Sequence, residues 1–199
     1  KGITLLGISK QINTGLKDEP IVAYVNNVLT ELNHEVKNDC SIKFVDLNDR
    51  TGNRIYQKGL VFLLVTSINE LYGKEYNIKV CYSIDKALSI KTYFDLTEEM
   101  LTKIKYKMLE LVSLNIPIKK ALSLKKDAKK YFETMIDSKK ADTYKYSTSI
   151  YVPLYKLGNI YDYFYSVMPN STSVLKKFDL KFIDNRDFIL QLPVPSSNG

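Results

Sequence analysis

GNIYDYFYSVMPNSTSVLKKFDL, residues 158–180, decides how this chain is read. Tyr161, Tyr163 and Tyr165 recur at every second position, the period of a β-strand, while Phe164 faces the other way. Residues 161–167 therefore read as one strand and 174–183 as the next. Ser171, Thr172 and Ser173 lie between them and read as a turn. They resemble nucleophiles, but no histidine base is available to them. The alternating tyrosines have two readings. Exposed, they would stack on bases; packed, they would follow ordinary β-propensity, which is the favoured reading.

The pattern continues outward from this stretch. Residues 149–155 and 188–192 read as strands. Leu101, Ile104, Met108, Leu111 and Val112 form the apolar stripe of a long helix, with Thr97 as its cap. Glu98 and Glu99 suit the positive end of its dipole, and Pro117 ends it. Ser123 is expected to open a further helix, with Ala128, Phe132, Met135 and Ile136 inward. Residues 60–72 read as an apolar helix stopped by Gly73. Residues 78–82 and 87–94 read as strands. Nearer the start, Ile3, Leu5, Leu6 and Ile8 suggest a short helix. Residues 20–25 and 28–32 suggest a hairpin turned at Asn26-Asn27. Ile42 and Phe44 share one face of a strand, and residues 49–53 read as a loop around Gly52. The fold class is α+β.

Composition narrows the function. At 199 residues the chain holds one large or two modest domains. A hydrophobic fraction of 45% is that of a globular protein. No apolar run approaches the ~18 residues that span a bilayer, and the first residues lack a signal-peptide core. A cytosolic protein with no membrane contact is expected. The net charge of +7 suits an anionic partner such as RNA or a nucleotide, and serves solubility equally well. His34 is the single histidine, which excludes any site needing two imidazoles. Cys40 and Cys81 lack CxxC spacing and read as two buried thiols. No metal site is expected. Asp46, Asp49 and Arg50 offer too few converging carboxylates.

The order of these elements resembles two known modules. Residues 1–56 resemble a truncated TGS domain, a ubiquitin-like (β-grasp) module of threonyl-tRNA synthetases. The likeness is carried by Gly2 to Ser9, Pro20 to Ala23, Val25-Asn26-Asn27 and Cys40 to Asp46. Residues 57–193 resemble the second additional domain of threonyl- and alanyl-tRNA synthetases, an α+β editing domain with an antiparallel sheet and packed helices. Here the matching strings are Leu63-Leu64, Glu70 to Tyr72, Leu96 to Glu99, Asn115 to Ile118, Ser123 to Phe132 and Tyr155 to Leu180. Residues 194–199 read as a linker tail. The family's H-x-x-x-H pair falls at Lys58 and Phe62. Its cysteine and second histidine fall at Phe164 and at Val167 or Met168. All four reactive side chains are replaced, so no catalytic residue is assigned. Lys58, Phe62, Phe164 and Met168 are expected to line a degenerate pocket, either filled by side chains or kept as a small-ligand cleft.

The same pair of modules without histidines precedes the P-loop kinase of uridine kinase-like proteins in the phosphoribulokinase/uridine kinase family. Arg54-Ile55-Tyr56, Leu154 to Gly158, Phe178 to Leu180 and Phe188 to Pro193 are similar to that group. This resemblance implies a non-catalytic binding or regulatory region ahead of a P-loop kinase domain, with ATP and Mg²⁺ belonging to that domain. No G-x-x-x-x-G-K-[ST] loop is present in these residues. The alternatives are an RNA- or tRNA-binding module, or a threonyl-tRNA synthetase-type editing hydrolase with an altered site. For RNA, Lys125, Lys126, Lys129 and Lys130 form a basic helix face. It reads either as a phosphate contact or as a solvated surface. Lys119, Lys120, Lys139 and Lys140 flank it.

Overall fold

The computed structural model describes residues 2–84, 86–133, 150–164 and 166–193. Met135, Ile136, Lys139, Lys140, Tyr165 and the tail 194–199 lie outside these. The molecule is α+β, and every strand pairing among the described residues is antiparallel.

The chain opens with β1 (Ile3–Thr4) and α1 (Leu5–Gln11). Ile3 thus belongs to a strand, paired with Val36 of β4 (Glu35–Val36), and not to the expected helix. Thr4 caps α1 by accepting the Gly7 N–H at 3.1 Å. β2 (Val22–Val25) and β3 (Val28–Glu31) form the expected hairpin. Asn26 and Asn27 both take positive φ, 48° and 65°, which a two-residue turn between twisted strands requires. β5 (Ile42–Val45) completes a sheet ordered β3-β2-β5. Its two faces serve different cores. Ala23 and Phe44, directly opposite each other, join Leu5 and Leu32 in a small core. Val22 and Val45, one position along, enter the main core beside Ile55 and Tyr56. The strand period of two therefore fastens this sheet to the rest of the chain.

α2 (Arg50–Tyr72) starts at Arg50, so the expected 49–53 loop is its first turn. Asp49 is the cap, accepting the Thr51 N–H at 2.7 Å. Gly52 answers a close approach, not a turn: a Cβ there would sit 1.8 Å from the Asp46 carbonyl oxygen. Gly73 ends the helix at φ 102°. β6 (Ile78–Ile84) and β7 (Ala87–Thr92) follow, then α3 (Glu98–Ser113). All five residues of the α3 stripe are buried, and Thr97 caps it by accepting the Met100 N–H.

β8 (Lys119–Leu124) corrects the expectation that Ser123 opens a helix. The helix, α4 (Lys125–Glu133), starts two residues later. Lys119 to Leu124 pair along their whole length with β9 (Tyr151–Leu157), and that ladder holds Ser123 extended. β10 (Ile160–Asp162) is shorter than the expected 161–167 strand. The Asp162 carboxylate accepts the Tyr163 N–H at 2.7 Å, which competes with continued pairing. Tyr161 and Tyr163 still pack together, against Ala128, Val152 and Leu154, while Phe164 turns to the main core. The expected 174–183 strand begins as a 3-10 turn, Thr172–Val174, and becomes β11 only at Asp179–Phe182. β12 (Asp187–Gln191) closes a four-stranded sheet ordered β11-β12-β7-β6. The cysteines are not buried as expected: Cys40 is half-buried and Cys81 exposed. Among the described residues, no helix is long and apolar enough to cross a membrane.

Candidate functional site

Lys58 and Phe62 lie one turn apart on α2 and face the segment that leaves β10. That segment is held by two devices. Gly59 has no side chain, and a Cβ there would come within 2.9 Å of both Leu175 and Pro169. Thr172 is fully buried; its Oγ1 donates to the Leu111 carbonyl at 2.6 Å and accepts the Ile116 N–H at 2.9 Å. The 169–175 stretch is thereby stitched to the end of α3. Phe164, Ser166 and Met168 are presented to α2 as a result.

The four positions separate into two pairs. Phe62 and Met168 are 0% and 1% exposed, so they belong to the core. Phe62 and Phe164 stack at a tilt, ring centroids 5.2 Å apart, and Phe164 meets Tyr155 at 6.1 Å. Lys58 and half-buried Phe164 instead line an open cleft of about 440 Å³ with Arg54, Gln57, Val61 and Leu88. Phe62 and Met168 pack inside, and Lys58 and Phe164 border the open cleft. The Lys58 ammonium donates to Ser166 Oγ at 2.6 Å, and the Ser166 hydroxyl donates to the Val167 carbonyl. Sequence reasoning missed Ser166. The only available signal was its position between Phe164 and Met168, because its partner is 108 residues away.

The other singled-out residues serve the scaffold. Asp46 is buried. Burial alone would raise its carboxyl, but hydrogen bonds from Asn48 and the Asp18 N–H outweigh that and hold it below the usual range. Asp95 pairs with Arg186. Ser171 and Ser173 share a hydrogen bond at 3.0 Å. His34 is exposed between β3 and β4. Tyr56, wholly buried, has its hydroxyl pushed up to about 12 by desolvation. It donates to the Lys177 carbonyl and accepts the Lys177 N–H. Tyr155 is raised further by burial and by the Glu31 carboxylate, to which it donates across to β3. On α4, Lys126, Lys129 and Lys130 are exposed, Lys125 is half-buried, and Ala128 faces inward. Lys119 and Lys120 lie exposed on the adjoining β8. No group of three or more metal-ligating side chains occurs among the described residues.

This is an α+β protein with a cation-lined cleft where a helix meets a loop after an antiparallel sheet. No protein-family model matches the chain. Its sequence relatives are threonine–tRNA ligases. That of Thermotoga petrophila is 30% identical over 187 residues, covering 90% of this chain and 28% of the ligase. That of Thermotoga maritima is 29% identical with the same coverage. That of Clostridium kluyveri is 25% identical over 165 residues, covering 81% of this chain and 26% of the ligase. The chain thus spans little more than a quarter of the length of these relatives. They give the uridine kinase-like reading no support.

Proposed function

We propose that this chain is an editing-like region of threonyl-tRNA synthetase type that binds the 3′ end of a tRNA without hydrolysing an ester there. One observation carries the reading. In a chain related to threonine–tRNA ligases over 90% of its length, the retained cleft is bordered by Lys58 and Phe164. A phenylalanine cannot activate water, and the lysine is engaged with a serine that itself donates to a carbonyl. Residues 1–56 are read as a TGS-like unit and 57–193 as the editing-like unit, in a cytosolic protein. The lysines of α4 and β8 add sequence-independent attraction for the phosphate backbone. A downstream P-loop kinase domain, ATP and Mg²⁺ play no part in this reading.

The test combines binding and chemistry. Fluorescence anisotropy with threonine tRNA and the full chain should show binding at low salt that weakens steeply as salt rises. Mischarged seryl-tRNA should lose its ester no faster than in buffer. Absence of tRNA binding at low salt would reject the proposal. So would deacylation that disappears in Lys58→Met.

A further inference from the structure

We infer that the groove between α3 and the free edge of β11 binds an extended segment of another protein, which adds to the four-stranded sheet as a further strand beside β11. The segment carries apolar side chains at every second position and a lysine or arginine beside Glu98. The groove shares no lining residue with the Lys58 cleft, so the inference stands apart from the tRNA reading.

The backbone is the first argument. β11 is an outermost strand of its sheet and pairs with β12 alone. The Ile183 N–H donates to the Asp187 carbonyl, and the Thr92 N–H donates to the Arg186 carbonyl. In an antiparallel ladder the direction of these groups alternates. Asp179 and Lys181 therefore bond to β12, while Leu180 and Phe182 turn their N–H and C=O groups to the open edge. The Asp179 carboxylate covers the Leu180 N–H at 2.8 Å. The Phe182 N–H and the carbonyls of Leu180 and Phe182 meet no partner among the described residues. β6, at the opposite edge, carries a bulge between Val80 and Tyr82, a device that guards an edge against pairing. β11 keeps an unbroken register and lacks that guard.

The groove is the second argument. The side chains of Leu180 and Phe182 share the face toward α3 and, with Leu101, Tyr106 and Leu109, border a space of about 400 Å³. Tyr106 is 68% exposed, so most of its ring is left uncovered by the fold. A strand added to β11 continues the pleat, and every second side chain of it enters this space. From Glu98 to Leu109 α3 rises about 16 Å, the reach of about five extended residues.

Charge names the occupant. The Leu96 N–H donates to the Asn185 carbonyl, and Lys105 pairs with Asp179, so Glu98 stands at the Phe182 end of the groove. Nearby carboxylates are matched: Glu99 by Lys103, Asp95 by Arg186 and Asp179 by Lys105. Glu98 lines the groove and pairs with no cation among the described residues. One negative charge thus closes an apolar groove in a chain of net charge +7. A basic residue in the incoming segment complements it. An exposed pair adds little affinity, so Glu98 selects the segment and its direction more than it strengthens binding. A second copy of this chain is a poorer occupant. Two-fold pairing through the groups of Leu180 and Phe182 sets Lys181 opposite itself, and like charges directly opposite destabilise a strand pair.

The experiment selects from a phage-displayed library of random octapeptides on the full chain. Enriched sequences should alternate apolar and polar residues and carry a lysine or arginine at one end. The most enriched peptide, synthesised, should saturate the chain by fluorescence anisotropy with a Kd of about 100 µM or tighter. In amide NMR the Phe182 N–H should shift and gain protection from solvent exchange. N-methylation of the peptide amides one at a time should weaken binding at least about tenfold at every second position and far less between them, the mark of strand pairing. Tyr106→Ala should weaken binding about fivefold with an unchanged thermal melt, since the side chain is exposed. Glu98→Lys should turn the selection toward peptides with an acidic residue in place of the basic one. Selection without an alternating pattern would overturn the inference, as would shifts confined to other surfaces or equal tolerance of N-methylation at every position. A dimer seen by sedimentation equilibrium, with the Phe182 N–H protected before any peptide is added, would also overturn it and assign the edge to a second copy.

Discussion

Phe62→Ala tests whether the inner pocket is filled. Phe62 is 0% exposed, its ring packs 5.2 Å from that of Phe164, and it stands on the same helix face as Lys58. Truncation removes a whole buried ring and leaves a cavity bordered by α2, Phe164 and Met168, on elements fixed by Gly59 and Thr172. Such a site cannot collapse, so the loss should lie at about 3–5 kcal/mol. For a chain of this length that lowers Tm by roughly 6–20 °C. The assay is urea denaturation with a thermal melt, the m-value serving as a check that the transition is still two-state. A double-mutant cycle with Phe164→Leu should give a coupling of about 0.5–1.5 kcal/mol from the ring pair. A loss below about 1 kcal/mol, the size of a surface change, would refute the filled pocket. Phe62 would then line an open site, and the case for lost hydrolysis would lose its structural footing.

Three further outcomes are expected. Gly52→Ala drives a methyl into the Asp46 carbonyl and should cost at least about 3 kcal/mol, read as a fall in the urea midpoint; a neutral result would show that α2 does not start where described. Thr172→Val strands the Ile116 N–H and should cost about 2 kcal/mol, with a stability unchanged within error disproving the stitch between α3 and the 169–175 loop. Tyr56 links stability to pH at the alkaline end. Its hydroxyl is held protonated to about 12 in the fold and ionises near 10 when unfolded, so the unfolded chain binds fewer protons across that window and stability falls as pH rises through it. The contribution is fully present below pH 10. Each pKa unit corresponds to about 1.4 kcal/mol, and Tyr56→Phe should flatten the decline, as measured by urea midpoints between pH 9 and 11.5.

The sequence by itself determined the elements whose signals are local. The α3 stripe and its Thr97 cap, the paired asparagines of the first hairpin, and Gly73 at the end of α2 each act within a few residues, through periodicity, capping and turn geometry. The resemblance to an editing domain singled out Lys58, Phe62, Phe164 and Met168; in the fold Phe62 packs on Phe164, and Lys58 and Phe164 line one cleft. Tertiary structure decided what depends on distant partners. Residues 119–124 are a strand because β9 satisfies their backbone. Gly52 sits in a helix because the Asp46 carbonyl leaves no room for a side chain. The split among the four singled-out residues was decided the same way. Phe62 and Met168 are core and Lys58 is a cleft residue because the 166–175 segment folds back onto α2, and a contact across 108 residues has no signature in local sequence.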